Sequence, residues 1–192
     1  MKYIWLIIVL ILPLFGISQH AVPLNDSTDI LYTLNAVRSN PLADNLNDSS
    51  YLFISGQCIE IDSLIGFSKK FIGTPYRYGG RSPKGFDCSG FVGYVFKQFG
   101  VTLPPSSRTQ ALIGEKVARD SIQKGDLVFF KGRSSKSNSI GHVALVVAVS
   151  DTNDIQFIHS TRHGLRLDWL SEEPYYKKRF MASRRLVSEL PK

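Results

Sequence analysis

Cys88 is the residue of this sequence best placed to act as a nucleophile, standing between Asp87 and Ser89 where a helical pattern begins. Apolar side chains follow at Phe91, Val92, Val95, Phe96 and Phe99, the spacing of one helix face, and Gly100 stands where a C-cap is expected. Cys88 therefore falls in the first turn or just before it, where unpaired N–H groups and the positive end of the helix dipole favour a thiolate. Position alone leaves two other readings open: an inert thiol packed in the core, or one half of a disulfide with Cys58. Two cysteines thirty residues apart lack the paired spacing of a zinc site, so no metal is expected.

A cysteine nucleophile needs a base, usually histidine, and the base needs an orienting partner. Of the four histidines, His20 lies near the N-terminus, His142 opens an apolar run, His159 closes the next run, and His163 sits in the following turn. Register decides which of them can cooperate. An even connection such as Ser150–Asn153 makes paired positions sum to 303, which sets His159 opposite Ala144 and on the same face as His142. Diagonal neighbours of that kind stand about 7–8 Å apart at Cα, within reach of two imidazoles leaning together. An odd connection turns His159 to the opposite face.

The elements that must position these side chains fall into two groups. Asp62-Ser63 can cap a helix with Leu64, Ile65, Phe67, Phe71 and Ile72 on its apolar face, stopped by Gly73-Thr74-Pro75. A Gly/Pro loop, "YRYGGRSPKG", leads into the Cys88 helix, and a second loop, "LPPSSRTQ", leads to a short helix over Thr109–Gly114. Strand patterns then dominate: "DLVFF", "HVALVVAV", "IQFIH", "LRLDWL" and "RFMASRRLV". Helices followed by an antiparallel meander define an α+β fold.

The N-terminus reads as a secretory signal over residues 1–18: Lys2, an apolar run from Tyr3 to Phe15, then Gly16-Ile17-Ser18. The run is short for a membrane span and carries Pro13, so no stable span is expected once the signal is cleaved. Residues 19–57, rich in Asn, Asp and Ser, read as a polar lead-in with little secondary structure, and 58–192 as the folded domain. Charge is uneven: residues 1–56 hold two basic and four acidic side chains, and residues 57–192 hold 21 basic and 12 acidic. A basic body outside the cytoplasm fits attraction to an anionic cell-wall surface, or simply a solvated face. The basic residues are scattered and accompany no nucleic-acid motif, so nucleic acid is not expected as a partner.

"GTPYRYGG", "GFDCSGFV", "LPPSSRTQ", "KGDLVFF", "IGHVALVV" and "FIHS" occur in the order and rough spacing of the NlpC family, bacterial papain-like cysteine peptidases that cut peptidoglycan stem peptides. The resemblance covers about Leu64 to Val187, and "PYYKKRFMASRRL" is similar to the last segment of the small periplasmic members. It implies a papain-like core, N-terminal helices packed on an antiparallel sheet, and a periplasmic or extracellular peptidoglycan endopeptidase without a cofactor. It makes Cys88 the nucleophile, His142 the general base, His159 the third polar residue and Tyr76 a contributor to the oxyanion site. Asp87 and Ser89 match positions that bind the amino-terminal end of the stem peptide. The chemistry of the residue types agrees, since a tyrosine hydroxyl and the Cys88 backbone N–H can donate to a developing oxyanion. Arg108 either braces the "SSRTQ" loop or meets a substrate carboxylate, Tyr78 reads as packing, and Cys58 matches no motif and reads as a structural thiol. The connection between His142 and His159 and the loop "KGRSSKSNSI" are both longer than the resemblance implies. Two rival functions share the scaffold: a non-catalytic wall-binding module, and an acyltransferase or amidase using the same thiol.

Overall fold

The computed structural model describes residues 51–54, 56–132 and 138–186. The signal segment 1–18, the lead-in up to residue 50, five residues of the polar loop after Gly132 and the terminal 187–192 lie outside them. In chain order the elements are β1 (Tyr51–Ile54), β2 (Gln57–Glu60), α1 (Ile61–Lys69), β3 (Arg81–Ser82), β4 (Gly85–Phe86) and α2 (Cys88–Gln98). There follow α3 (Ser107–Gln110), β5 (Glu115–Lys116), β6 (Leu127–Lys131), β7 (Ile140–Val149), β8 (Ile155–Thr161), β9 (Gly164–Trp169), α4 (Pro174–Lys177) and β10 (Phe180–Arg185). The α+β expectation holds: six strands form one antiparallel sheet in the order β5-β10-β6-β7-β8-β9.

The end of the lead-in differs from the expectation of little secondary structure. Residues 51–60 form a hairpin, β1 against β2, that turns at Gly56 with φ +77° and buries Leu52, Ile54 and Ile59. A short apolar run ahead of Gly56 and Cys58-Ile59 after it were enough for a strand pair, which extends the ordered domain upstream of Cys58. Helix α1 likewise begins at Ile61 with Glu60 as its N-cap, so Asp62 lies inside the first turn and the Ser63 hydroxyl bonds the Glu60 carboxylate. The helix expected over Thr109–Gly114 is a shorter turn, α3, held by a capping box between Ser106 and Thr109.

Two apolar layers cover the sheet. Leu127, Phe129, Val143, Leu145, Val147 and Ile158 face α1 and α2 in the main core. Val128, Phe130, Ala144, Val146, Ile155 and Phe157 face the other way and are covered by Leu170, Tyr176 and Phe180. His142 and His159 have the strand parity of this second, smaller layer. A fully buried side chain of this size stabilises by roughly 1.5–3 kcal/mol, so both layers hold the sheet firmly.

Helix α2 is tied to the glycine loop by close backbone contact. A Cβ on Gly90 would stand 2.1 Å from the Gly80 carbonyl oxygen, and a Cβ on Gly80 would stand 2.4 Å from that of Gly85. Only glycine permits this approach, which explains why "YGG" and "DCSG" carry it. Phe86, at the end of the loop, packs edge-on against Phe71 at 5.7 Å and Phe91 at 5.5 Å, clamping the loop between α1 and α2.

Candidate active site

Cys88 is the first residue of α2, and Asp87 is its N-cap. The Asp87 carboxylate accepts from the Gly90 N–H at 2.6 Å, from the Ser89 hydroxyl at 3.1 Å and from the Gly79 N–H at 3.0 Å. Asp87 thus caps the helix and ties it to the glycine loop. Its neighbour Ser89 is buried, and its hydroxyl also donates to the Pro105 carbonyl at 3.3 Å. Both residues assigned to substrate therefore already have partners within the fold, and Ser89 lines a separate cleft beside Lys97, Thr102 and Leu103.

The backbone N–H of Val143, the residue after His142, is near enough to the thiol to favour its charged form, so helix and strand come together at the nucleophile. Burial pushes the Cys88 thiol up to about 11, outweighing that effect, while the Asp87 charge adds to the rise. A thiol of lowered pKa was expected from the helix N-terminus. Removal from water dominates instead, so the resting group is a neutral thiol. Cys58 is exposed on β2, and both cysteines are free, so the disulfide reading falls away and Cys58 is no core thiol.

The two imidazoles meet as the register argument expects: His142 Nε2 lies 2.8 Å from His159 Nδ1. The pairs Leu145↔Ile158 and Val146↔Phe157 have the expected sum of 303. The connection itself is odd, with Val149 paired to Ile155, and it would have turned His159 away. A bulge between Val146 and Ala148 absorbs the extra residue and restores the parity. Burial lowers His142 well below the ordinary imidazole range, and the neighbouring His159 adds to it. Burial also lowers His159, although Asp168 opposes the shift. Both rings are neutral at rest.

Sequence reasoning missed two neighbours of this pair. Asp168 on β9 is buried, and its Oδ2 lies 2.8 Å from His159 Nε2. Arg166 bonds the other carboxylate oxygen of Asp168 and reaches Glu173 at 2.9 Å. The signal was available: the tight "TRHG" turn sets the pairs His159↔Arg166 and Phe157↔Asp168, which puts Asp168 on the face of His159 one diagonal step away. Tyr176 on α4 stacks on His142 at 5.4 Å between centroids and stands edge-on to His159 at 4.8 Å. Its place depends on the chain returning over the sheet after β9, and no local spacing reveals that.

Tyr76 pairs with the loop end through a bridge to Phe86 and is 38% exposed, with its ring at the mouth of the site. Burial raises its phenol, and the nearby Cys88 and Asp87 raise it further, so it stays a neutral donor. Tyr76, His142, Thr161, Arg162, His163 and Tyr175 line a cleft of about 620 Å³. His163 lies at the rim of this cleft and is exposed, and Tyr78 is 92% exposed, which removes its packing role. Arg108 donates from Nε to the Ile140 carbonyl at 3.1 Å, bracing α3 against the start of the strand that carries His142. No group of three or more metal-binding side chains occurs among the described residues.

A helix-borne thiol set against a strand-borne pair of imidazoles is the layout of a cysteine hydrolase. Residues 73–185 match the NlpC/P60 family. The chain is 43% identical over 116 residues to the "Probable endopeptidase NlpC" of Escherichia coli strain K12, covering 59% of this chain and 70% of that one. It is 40% identical over 118 residues to the "Murein DD-endopeptidase MepS/Murein LD-carboxypeptidase" of the same strain, covering 60% of this chain and 57% of that one. A solved NlpC/P60 family protein from Bacillus cereus ATCC 10987 superposes with a TM-score of 0.59 at 36% identity, over 67% of this chain and 41% of that one. The chain belongs to the NlpC/P60 family, and by class it is a cysteine peptidase, a hydrolase. Several relatives are longer than the shared domain: the match spans about a third of the "Gamma-D-glutamyl-L-lysine dipeptidyl-peptidase" of Bacillus cereus, 36% of its length.

Proposed function

We propose that this chain is an exported endopeptidase that hydrolyses an amide bond in peptidoglycan stem peptides or their cross-links. The observation that carries this reading is the 2.8 Å bond between His142 and His159, on the strand whose next residue, Val143, has its backbone N–H near the Cys88 thiol. With His142 Nε2 engaged, its Nδ1 is the ring nitrogen left to take the thiol proton. As that proton moves, Sγ bonds to the substrate carbonyl carbon, and the oxygen gains charge where the Tyr76 hydroxyl and the Cys88 backbone N–H can donate. The His142 imidazolium then protonates the leaving amine as the C–N bond breaks, and a thioester remains. Water, deprotonated by His142, releases the carboxylate and restores the thiol.

Murein appears in the name of one relative and a γ-glutamyl-lysine bond in another, which supports stem peptides as the substrate. The candidate bonds are D-glutamyl to diaminopimelate within a stem and D-alanyl to diaminopimelate in a cross-link. Arg162 at the cleft rim offers positive charge to the carboxylates such peptides carry. Export rests on the signal pattern of residues 1–18, and no helix among the described residues is long and apolar enough to cross a membrane.

A second reading has a specific point in its favour. One solved structure of this fold, at 20% identity and a TM-score of 0.53, is described as a non-catalytic domain adapted to peptidoglycan binding, so the fold alone does not require cleavage. Mass spectrometry of purified peptidoglycan after incubation with the protein and with Cys88→Ala separates the two. New muropeptides from the unaltered protein only, with masses that name the bond, are the expected result. Binding without new products from either protein would support the wall-binding module, and a product carrying a new acyl acceptor would support transfer.

A further inference from the structure

The hydrogen bonds of the site do not stop at His159. They run across three adjacent strands, from His142 on β7 through His159 on β8 to Asp168 on β9, with 2.8 Å at both links. The last member is fixed from its far side as well, where Arg166 bonds the remaining carboxylate oxygen and is itself held by Glu173. We propose that Asp168 is a positioning residue that sets the tautomers of His159 and His142 in series, leaving His142 Nδ1 bare to receive the Cys88 proton. This inference rests on the reading of Cys88 and His142 given above.

What each group can donate fixes the position of every proton in the chain of bonds. An ionised carboxylate only accepts, so the bond to Asp168 requires the proton of His159 to sit on Nε2. Burial alone would raise the Asp168 carboxyl, but the bonds from His159 and Arg166 bring it below its ordinary value and keep it ionised. A neutral His159 with its proton on Nε2 has a bare Nδ1, which must accept. Among the described residues the group bonded there is His142 Nε2, so that nitrogen carries the proton of His142. His142 Nδ1 is then bare. Reversing the first link reverses all of them: a donor in place of Asp168 would let His159 hold its proton on Nδ1 and donate to His142. The proton of His142 would move to Nδ1, and the base would have no lone pair for the thiol.

The stacked Tyr176 and Phe157 fix the ring planes but select no tautomer, since neither ring presents a polar atom to an imidazole nitrogen in the observed contacts. The selection falls to Asp168.

Two-bond ¹H–¹⁵N correlation spectra of the histidine side chains distinguish a protonated ring nitrogen from a bare one, and serve as the test. In the unaltered protein both His142 and His159 should be protonated at Nε2 and bare at Nδ1. In Asp168→Asn, whose amide can turn its NH₂ toward His159, part of the population should shift to Nδ1–H on both rings. Its kcat should fall on the order of 10²–10⁴-fold with KM little changed, as expected when a base is held in the wrong tautomer. Asp168→Ala, with no group to select, should give mixed tautomers. An Nδ1–H signal from His159 in the unaltered protein would overturn the proposal without any variant having to fold. So would unchanged ring signals in a folded Asp168→Asn, because a lost rate would then be structural. Cleavage that survives Cys88→Ala would instead remove the nucleophile reading, an outcome the ring spectra do not depend on.

Discussion

The site is built from two halves that are specified in different ways. The helical half delivers one atom, the Cys88 sulfur, and most of what places it lies nearby in the chain: the Asp87 cap, the Gly80–Gly90 contact and the packing of Phe86 on Phe91. The sheet half delivers a base through three strands whose contributing residues, His142, His159 and Asp168, meet only if two registers are right. A nucleophile can be set by local geometry, whereas an oriented base is a property of tertiary pairing. Substitutions in the first half should damage folding and function together, while those at the ring nitrogens of the second should damage chemistry with little loss of fold.

The largest effect is expected at the two reacting groups. Cys88→Ala and His142→Ala should each lower hydrolysis of a stem peptide on the order of 10⁴-fold or more, measured by single-turnover kinetics. His159→Ala should cost less, and His163→Ala, at the exposed rim, little. Because the imidazoles act as a unit, the double change at His142 and His159 should be barely worse than His142→Ala. Losses that multiply would show that the two rings act separately.

Next comes the helical half. Gly90→Ala drives a methyl group to 2.1 Å from a backbone oxygen that cannot rotate away. It should destabilise the domain by about 1–3 kcal/mol in urea titration and reduce activity with it, since helix and loop must part to accommodate the change. Gly66→Ala, inside α1 with open space around the added carbon, is the control: it should leave activity unchanged and raise stability by up to about 1 kcal/mol.

The sheet half should show itself through pH. His142 and His159 are neutral in the fold with pKa values below the ordinary 6.5, so their contribution to stability is fully present above about 6.5. Below that value the unfolded state binds protons that the folded state refuses, and stability falls. The Asp126 carboxyl, raised by burial despite Arg185, shifts in the opposite sense, its own contribution favouring the fold as pH falls toward the ordinary carboxylate range. Thermal midpoints should therefore drop between pH 7.5 and 5, and less so in a folded His159→Asn. On the alkaline side, alkylation of Cys88 in a Cys58→Ser background should keep rising toward a midpoint near 11. A midpoint below 8 would mean that a thiolate–imidazolium pair exists at rest.

The smallest expected effect concerns surface charge. The basic excess of residues 57–192 should draw the protein to an anionic wall over a Debye length of about 8–10 Å, so cleavage of intact sacculi should slow with added salt. Cleavage of a small soluble stem peptide should respond far less, and equal responses would assign the charge to the cleft.

How much of this was legible in the sequence follows the same division. Helix α2 and its Gly100 terminus could be read from spacing, because neighbours along the chain determine them, whereas Asp87, assigned to substrate by the resemblance, is the helix cap. The meeting of His142 and His159 was also legible, although by an incomplete route: the connection is odd, and only the bulge at Val147 returns His159 to the right face. A bulge leaves no mark in an apolar run such as "HVALVVAV". Asp168 was legible in principle from the "TRHG" turn but was hidden among alternating residues of an ordinary strand. Tyr176 was not legible, because its contact depends on the path of the chain after Trp169. The thiol was misjudged for a different reason. Helix position is visible in sequence, but burial is a property of the packed molecule, and here it outweighs the helix end.

The central claim is that Cys88 attacks the substrate amide with His142 as its base. Acid quenching during the first turnovers on a stem peptide, followed by intact mass and peptide mapping, tests it most directly. The account predicts an acyl group on the peptide containing Cys88, bound as a hydroxylamine-sensitive thioester, and neither adduct nor cleavage in Cys88→Ala. Cleavage that continues undiminished in Cys88→Ala, or an acyl group mapped to any other residue, would contradict it.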